Sequence, residues 1–311
     1  MIKLIVLLSF FSLNIYANTN EDLIFFAKNG FKEDLVELIE SKQVQTLNYQ
    51  DNEGNTALHW AVKNCHTDIV ETLFKSGYLS LNIDVNLQNN NDETPLYLAA
   101  LECLSSIDLI LSKKDKIDYE IGPIEKADDV NLTITPLAAL VYYSEFELDL
   151  LDFEISKLIN AGANLEVKIY HSDEKTTSTA FHYIAGLNFP NALINAVKVH
   201  PNINERTFQK LTPLMLAVQN EHIQNVKTLI NANALLNLRD INGDTALHHA
   251  YKLYKIALDE GDGKKKAYSQ AILSLLVEAG ADRNLTNLKN EIAYPSSIRA
   301  WRCKINCDFK L

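Results

Sequence analysis

Six threonines recur along this chain, at positions 56, 94, 135, 179, 212 and 245, and each opens a stretch of the same character. Thr56-Ala57-Leu58-His59 and Thr245-Ala246-Leu247-His248 are the cleanest copies. Thr94-Pro95-Leu96, Thr135-Pro136-Leu137, Thr179-Ala180-Phe181-His182 and Thr212-Pro213-Leu214 are looser ones. Successive threonines are 38, 41, 44, 33 and 33 residues apart. A unit of that size is too short to enclose a core alone, so the copies must bury their apolar faces against one another. The length of 311 residues would otherwise suggest two globular domains, and the repeat overrides that expectation.

Each position in the unit has a mechanical role. The threonine stands where a helix begins and can cap its free N–H groups. Proline at the next position has a suitable φ and no N–H to leave unpaired. The leucine points inward, and Ala61, Ala99, Ala217 and Ala250 are small enough to let neighbouring helices approach. Gly54 and Gly243, two residues before their threonines, suit a tight turn that needs positive φ. Asp68–Phe74 and Ile223–Ile230 then show apolar residues at helical spacing. Gly162 and Gly280, each set between two alanines, stop the second helices. One unit therefore reads turn, helix, tight turn, helix, loop.

A period of about 33 with a T-P-L-H signature resembles the ankyrin repeat family, and the resemblance covers roughly 21–300. It implies an all-α ankyrin repeat solenoid of stacked helix-turn-helix units with projecting loop fingers. Residues 21–48 keep the helix pair without the signature and are expected to form an N-terminal capping repeat. Six repeats follow over 51–286, with insertions near 115–131, 144–152, 168–177 and 254–267. Asp259–Lys266, within the last of these, is expected to be a solvated loop. Residues 287–311 begin like another unit, depart at Pro295, and are expected to form a C-terminal cap with a cysteine-bearing tail.

The chain opens with Lys3 followed by an apolar run from Leu4 to Ile15, too short for a membrane span and within signal-peptide range. Cleavage is expected after Ala17, leaving an exported, periplasmic or secreted protein with no membrane span. Lys and Arg total 29 against 40 Asp and Glu, a formal net charge of −11. Nucleic acid is thus an unexpected partner, and a neutral or basic protein fits better. The chain is expected to be a monomer.

Four cysteines in an exported chain favour disulfides and allow three pairings. Cys303 and Cys307, four apart, can reach each other if helical or turned. Cys65 and Cys103 each lie nine residues after their threonine, at equivalent points of adjacent repeats. Helix pairs stack about 8–10 Å apart, long for a disulfide unless the turn bends. Four free or buried thiols are the alternative, and no metal-ligand spacing of Cys and His is present.

Five of the eight histidines have structural places implied by the resemblance. His59, His182 and His248 hold the last position of T-P-L-H, which in this family bonds the neighbouring loop backbone. His66 and His222 hold the family's turn position. That leaves His171, His200 and His249, none in a zinc-protease or nucleophile-elbow pattern. No cofactor, metal or catalytic residue is expected, and a hydrolase using His171, His200 or acidic residues of the inserted loops is the alternative of another class.

The resemblance implies that partners rest on finger tips and on the exposed face of the first helix. At those positions repeat one is polar, whereas repeat three offers Leu132, Ile134, Tyr142 and Tyr143, and repeat five offers Phe208 and Leu211. Tyr170, Ile241 and Leu253 extend the patch, with Leu101 of repeat two beside it. Apolar side chains where solvent should be are the signature of binding hot spots. The expected function is an exported scaffold that holds or neutralises a protein partner through its concave face. A secreted effector acting on a host protein is the alternative.

Overall fold

The computed structural model describes residues 19–75, 82–113, 124–127, 130–142, 148–171, 176–200 and 202–294, with backbone alone at 124–127, 130–133, 148–150, 170–171 and 176–177. The anticipated signal peptide, Tyr143, Cys303 and Cys307 lie outside these residues. The chain divides into two compact units, and the division falls within the helix that follows Thr135.

The first unit begins with α1 (Thr19–Asn29) and α2 (Lys32–Glu40), followed by α3 (Ala57–Lys63), α4 (Thr67–Leu73), α5 (Pro95–Glu102) and α6 (Ile107–Leu111). First helices stack on first helices, α1 on α3 on α5, and α2 packs on α4. The contact face is built from small and branched side chains. Ala61, Val62, Ala99 and Ile69 have no measurable exposure, and Leu58 is as completely enclosed. Threonine capping is as expected: Thr94 Oγ1 accepts from Tyr97 N at 3.2 Å, and Thr56 Oγ1 from His59 N at 3.3 Å.

The second unit carries the end of α7 (Pro136–Tyr142), then α8 (Leu148–Ala161), α9 (Ala180–Gly186), α10 (Pro190–Val199), α11 (Pro213–Gln219), α12 (Ile223–Asn231), α13 (Ala246–Glu260) and α14 (Gly263–Glu278). Here α9, α11 and α13 form one layer, and α8, α10, α12 and α14 the other. Pro190 opens α10 as its composition suggests, but Phe189 before it has no side chain that can cap. Asp152 supplies the missing acceptor from α8. Its Oδ1 takes Ala192 N at 2.7 Å, and its Oδ2 takes Asn191 N at 3.0 Å. Asn225 of α12 does the converse at the end of α9, donating to the carbonyls of Ala185 at 3.0 Å and Leu187 at 2.7 Å.

Two insertions take regular form. The enlarged finger of repeat four is an antiparallel hairpin of β3 (Lys168–His171) and β4 (Thr176–Thr179), in which Lys168 faces Thr179, and β4 runs directly into α9. A second small sheet pairs β1 (Ile124–Ala127) with β2 (Val130–Thr133). Asp259–Lys266, within the insertion at 254–267, is not the solvated loop expected of it. Both helices of repeat six simply run on, and only Gly261 and Asp262 separate them. Tyr254, Ile256 and Ala257 continue the helical pattern, Gly261 ends α13 at φ +69°, and Asp262 caps α14 by accepting from Lys264 N and Lys265 N. Among the described residues no helix is long and apolar enough to cross a membrane.

Cys65 and Cys103 form a disulfide, with Cα atoms 5.2 Å apart. The two turns are not equivalent, which is how the gap closes. Cys65 sits in left-handed backbone at φ +54°, whereas Cys103 ends α5 in extended backbone at φ −154° and leads into a 3-10 turn.

Candidate functional site

The fingers share one construction. In four of them an Asp or Asn side chain folds the turn on itself: Asp240 Oδ1 accepts from Asn242 N at 2.8 Å and Asp244 N at 2.9 Å. Asp51, Asn89 and Asn287 repeat this pattern. The residue two before the helix-opening position is left-handed in these four and in the finger that bears Phe208: Gly54, Asp92, Lys210, Gly243 and Asn290 all have φ near +60° to +79°. At Gly243 a Cβ would also meet Leu288 N at 2.9 Å, so glycine is needed for space as well as for φ.

Successive fingers are tied by backbone. Ile241 N donates to Gln209 O at 3.0 Å, and Leu288 N to Asn242 O at 3.0 Å. The T-P-L-H histidines add a second tie. Thr56 N and Oγ1 contact His59 Nδ1 at 3.2 and 2.8 Å, which leaves Nε2 to donate to Glu93 O at 3.1 Å. His248 does the same toward Glu291 O at 3.1 Å. Burial pushes the pKa of both rings below the ordinary histidine value, in keeping with neutral imidazoles in these positions.

On this rigid row stand apolar tips. Phe208 is 74% exposed, Ile241 51% and Leu288 74%. Phe208, Leu211 and Ile241 line a depression of about 380 Å³ whose inner wall is Gln219 of α11 and His249 of α13. Ile241 also borders a second depression of about 500 Å³, together with Leu288, Arg206, Lys210 and Arg239.

The sequence groups Phe208, Leu211 and Ile241 in one patch with Leu132, Ile134, Tyr142, Tyr143, Tyr170 and Leu253, and of these the structure brings Phe208, Leu211 and Ile241 together around one depression. Ile134 is half-buried, Leu253 is half-buried on α13, and Tyr142 is exposed at the end of α7; none of them lines either depression. Leu101 is exposed at the end of α5, in the other unit. Leu132 and Tyr170 are placed by backbone on β2 and β3. Leu288 and the three basic residues escaped sequence reasoning. Leu288 holds the same place as Phe208 and Ile241, four residues before the helix-opening position. That position is Ile292 here, so the missing threonine hid the finger.

Of the unassigned histidines, the side chains of His249 and His200 are described, and each is held in contacts within the fold. His249 Nε2 bonds Asp240 Oδ2 at 3.1 Å, and its Nδ1 meets Gln219 Nε2 at 3.1 Å. Asp240, Asp244 and His249 have ligand atoms within 4.8 Å of one another. Yet in repeat one Trp60 holds the same place and donates to Asp51 Oδ2 at 2.7 Å, so the contact fastens finger to helix with no need of a metal. Asp244 is committed to Lys252 and to Asn287, and its carboxyl stays below the usual range because those bonds outweigh its burial. His200 is buried against Phe181, its ring 4.5 Å away, with Nε2 3.6 Å from Glu205. Glu205 also meets Thr179 and His182. Burial opposes its ionisation, but these hydrogen bonds hold its pKa at about 2. The His171 side chain is outside the described residues.

A family model, Ankyrin repeats (3 copies), matches residues 23–122 and 181–287, more than half the chain. An ankyrin repeat protein of Acanthamoeba polyphaga mimivirus is 29% identical over 241 residues, covering 73% of this chain and 31% of its own length. Human transient receptor potential cation channel subfamily A member 1 is 25% identical over 68% of this chain and 20% of its own. A Plasmodium falciparum protein named as an E3 ubiquitin-protein ligase is 37% identical over 98 residues, 31% of this chain and 1% of its own. The chain thus spans under a third of the length of these relatives. Among solved structures, the ankyrin repeat protein EF0377 is 21% identical with a TM-score of 0.49, over 68% of this chain and 90% of that one.

Proposed function

Because the chain belongs to the ankyrin repeat family and is a protein-binding scaffold, we propose that it is exported and takes its partner on the finger ridge of Phe208, Leu211, Ile241 and Leu288. A fold of this kind is generally a non-enzymatic interaction scaffold. The observation that carries the reading is the exposure of Phe208 and Ile241 on fingers held by backbone hydrogen bonds. A tip that is already rigid loses little entropy when it docks, so a few apolar anchors suffice for affinity. The Cys65–Cys103 bond supports export, since such bonds persist in oxidising compartments.

Capture from the source cells, read by mass spectrometry, tests the ridge. Phe208→Ala with Ile241→Ala should lose the proteins that the unaltered chain retains, while helicity is unchanged. An identical set of captured proteins refutes the ridge. Thiol labelling of the protein as isolated tests export: Cys65 and Cys103 should resist alkylation until a reductant is added, and labelling without reductant argues for a reducing compartment.

A further inference from the structure

Among the exposed charged side chains of the ridge the basic ones outnumber the acidic, the reverse of the molecule as a whole. Arg206, Lys210, Arg239 and Lys289 stand exposed on the fingers that bear Phe208, Ile241 and Leu288. None of the four pairs with a carboxylate among the described residues. Arg206 donates through Nε to Lys210 O at 3.3 Å and through Nη2 to Arg239 O, which fixes its charge on the ridge without neutralising it. The carboxylates of this region are turned to other work. Asp240 holds finger N–H groups and His249, Asp244 holds Lys252 and Asn287, and Glu205 lies among Thr179, His182 and His200. Glu291, exposed beside Lys289, tempers one end alone. The depression of about 500 Å³ is lined by the apolar Leu238, Ile241 and Leu288 and by three cations, Arg206, Lys210 and Arg239, against one carboxylate, Asp240, which is bonded to finger N–H groups and His249.

Resting on the ridge reading above, we propose that the occupant is an acidic, extended segment of a protein partner with an apolar side chain at every third residue. The net charge of −11 points to a basic partner at long range. At contact it is outweighed, because charges beyond about 8 Å are largely screened at physiological salt. The spacing follows from the stack. Neighbouring repeats lie about 8–10 Å apart, and a polyproline II chain returns to the same face every three residues, about 9 Å. Apolar side chains at that interval would meet successive tips while the acidic residues between them reach the guanidinium and ammonium groups.

A fluorescein-labelled nine-residue peptide, with Leu at its first, fourth and seventh positions and Glu or Asp elsewhere, tests the assignment by anisotropy against the full chain. A twin with Lys in place of every acid is the control. The acidic peptide should bind. Its affinity should fall about ten-fold or more between about 50 and 500 mM salt. A similar loss is expected in the double variant Lys210→Glu with Arg239→Glu, and binding should vanish in Phe208→Ala with Ile241→Ala. Absence of binding by the acidic peptide, equal binding of the Lys twin, or equal competition by single-stranded DNA overturns the proposal. Should the charge-reversed variant not fold by circular dichroism, Lys210→Gln with Arg239→Gln takes its place. The captured protein distinguishes failure of the acidic assignment from failure of the ridge. If it is retained by the charge-reversed variant but released by Phe208→Ala with Ile241→Ala, the acidic assignment fails and the ridge stands. If both variants retain it, the ridge itself fails.

Discussion

Breaking the bond between Cys65 and Cys103 should destabilise the first unit by about 4 kcal/mol. The two cysteines are 38 residues apart in sequence, and closing a loop of that length removes about 13 cal/mol/K from the unfolded chain, or about 4 kcal/mol at 25 °C. Repeats of a stacked array unfold as coupled neighbours and not as one body, so the loss should appear locally. Trp60 reports on this region. Its ring is buried beneath Lys28, whose Nζ lies 3.6 Å from the ring centroid, and its Nε1 is bonded to Asp51. With Trp301 replaced by Phe, Trp60 is the only indole, and urea unfolding can be followed by its fluorescence with and without reductant. Cys65 is exposed, so reductant can reach the bond. Cys65→Ser with Cys103→Ser should unfold at the midpoint of the reduced protein. A difference below about 1 kcal/mol between oxidised and reduced forms would refute the loop argument.

Asp152→Ala should cost about 2–3 kcal/mol, because it strands the first N–H groups of α10 beside a Phe189 that cannot cap them; Asp152→Asn should recover part of this. Both are measured by urea unfolding followed by circular dichroism. Glu205 gives an acid limb. Its folded pKa of about 2 lies below the ordinary 4.5, so its contribution is fully present above pH 4.5 and is lost as pH falls toward about 2. Glu205→Gln should flatten that limb in unfolding curves taken across the window. Burial lowers the pKa of His59, His222, His248 and His249 below 6.5, so unfolding curves should show stability present above that value and declining as pH falls beneath it.

The repeat architecture was legible because its determinants are local. A threonine cap, a small residue at a helix contact and a left-handed turn each act within a few residues, and each leaves its mark at a fixed offset. Phe208, Leu211 and Ile241 could be placed at the ridge by the same offsets. What escaped depends on contacts between units of sequence. Arg206, Lys210 and Arg239 gather only once two fingers lie side by side, and a whole-chain charge cannot show them. The Cys65–Cys103 pairing was among those the sequence allowed, but the irregular turn at Cys103 that closes it leaves no mark in the matching offsets of the two cysteines. At 259–266 a run of charged residues suggested a loop, whereas Glu and Lys are good helix formers and a single Gly-Asp break was enough to turn the chain.

The lengthened helices of repeat six have a practical corollary. From Thr245 to the bend at Gly261 the chain climbs about 22 Å of helix, so the bend is carried well away from the fingers. A side chain added at Gly263 would meet nothing within 4 Å, and its φ lies outside the left-handed region that binds Gly261 to glycine. A dye, an affinity handle or a grafted domain joined there would ride on the molecule as on a mast, out of reach of whatever occupies Phe208 and Ile241.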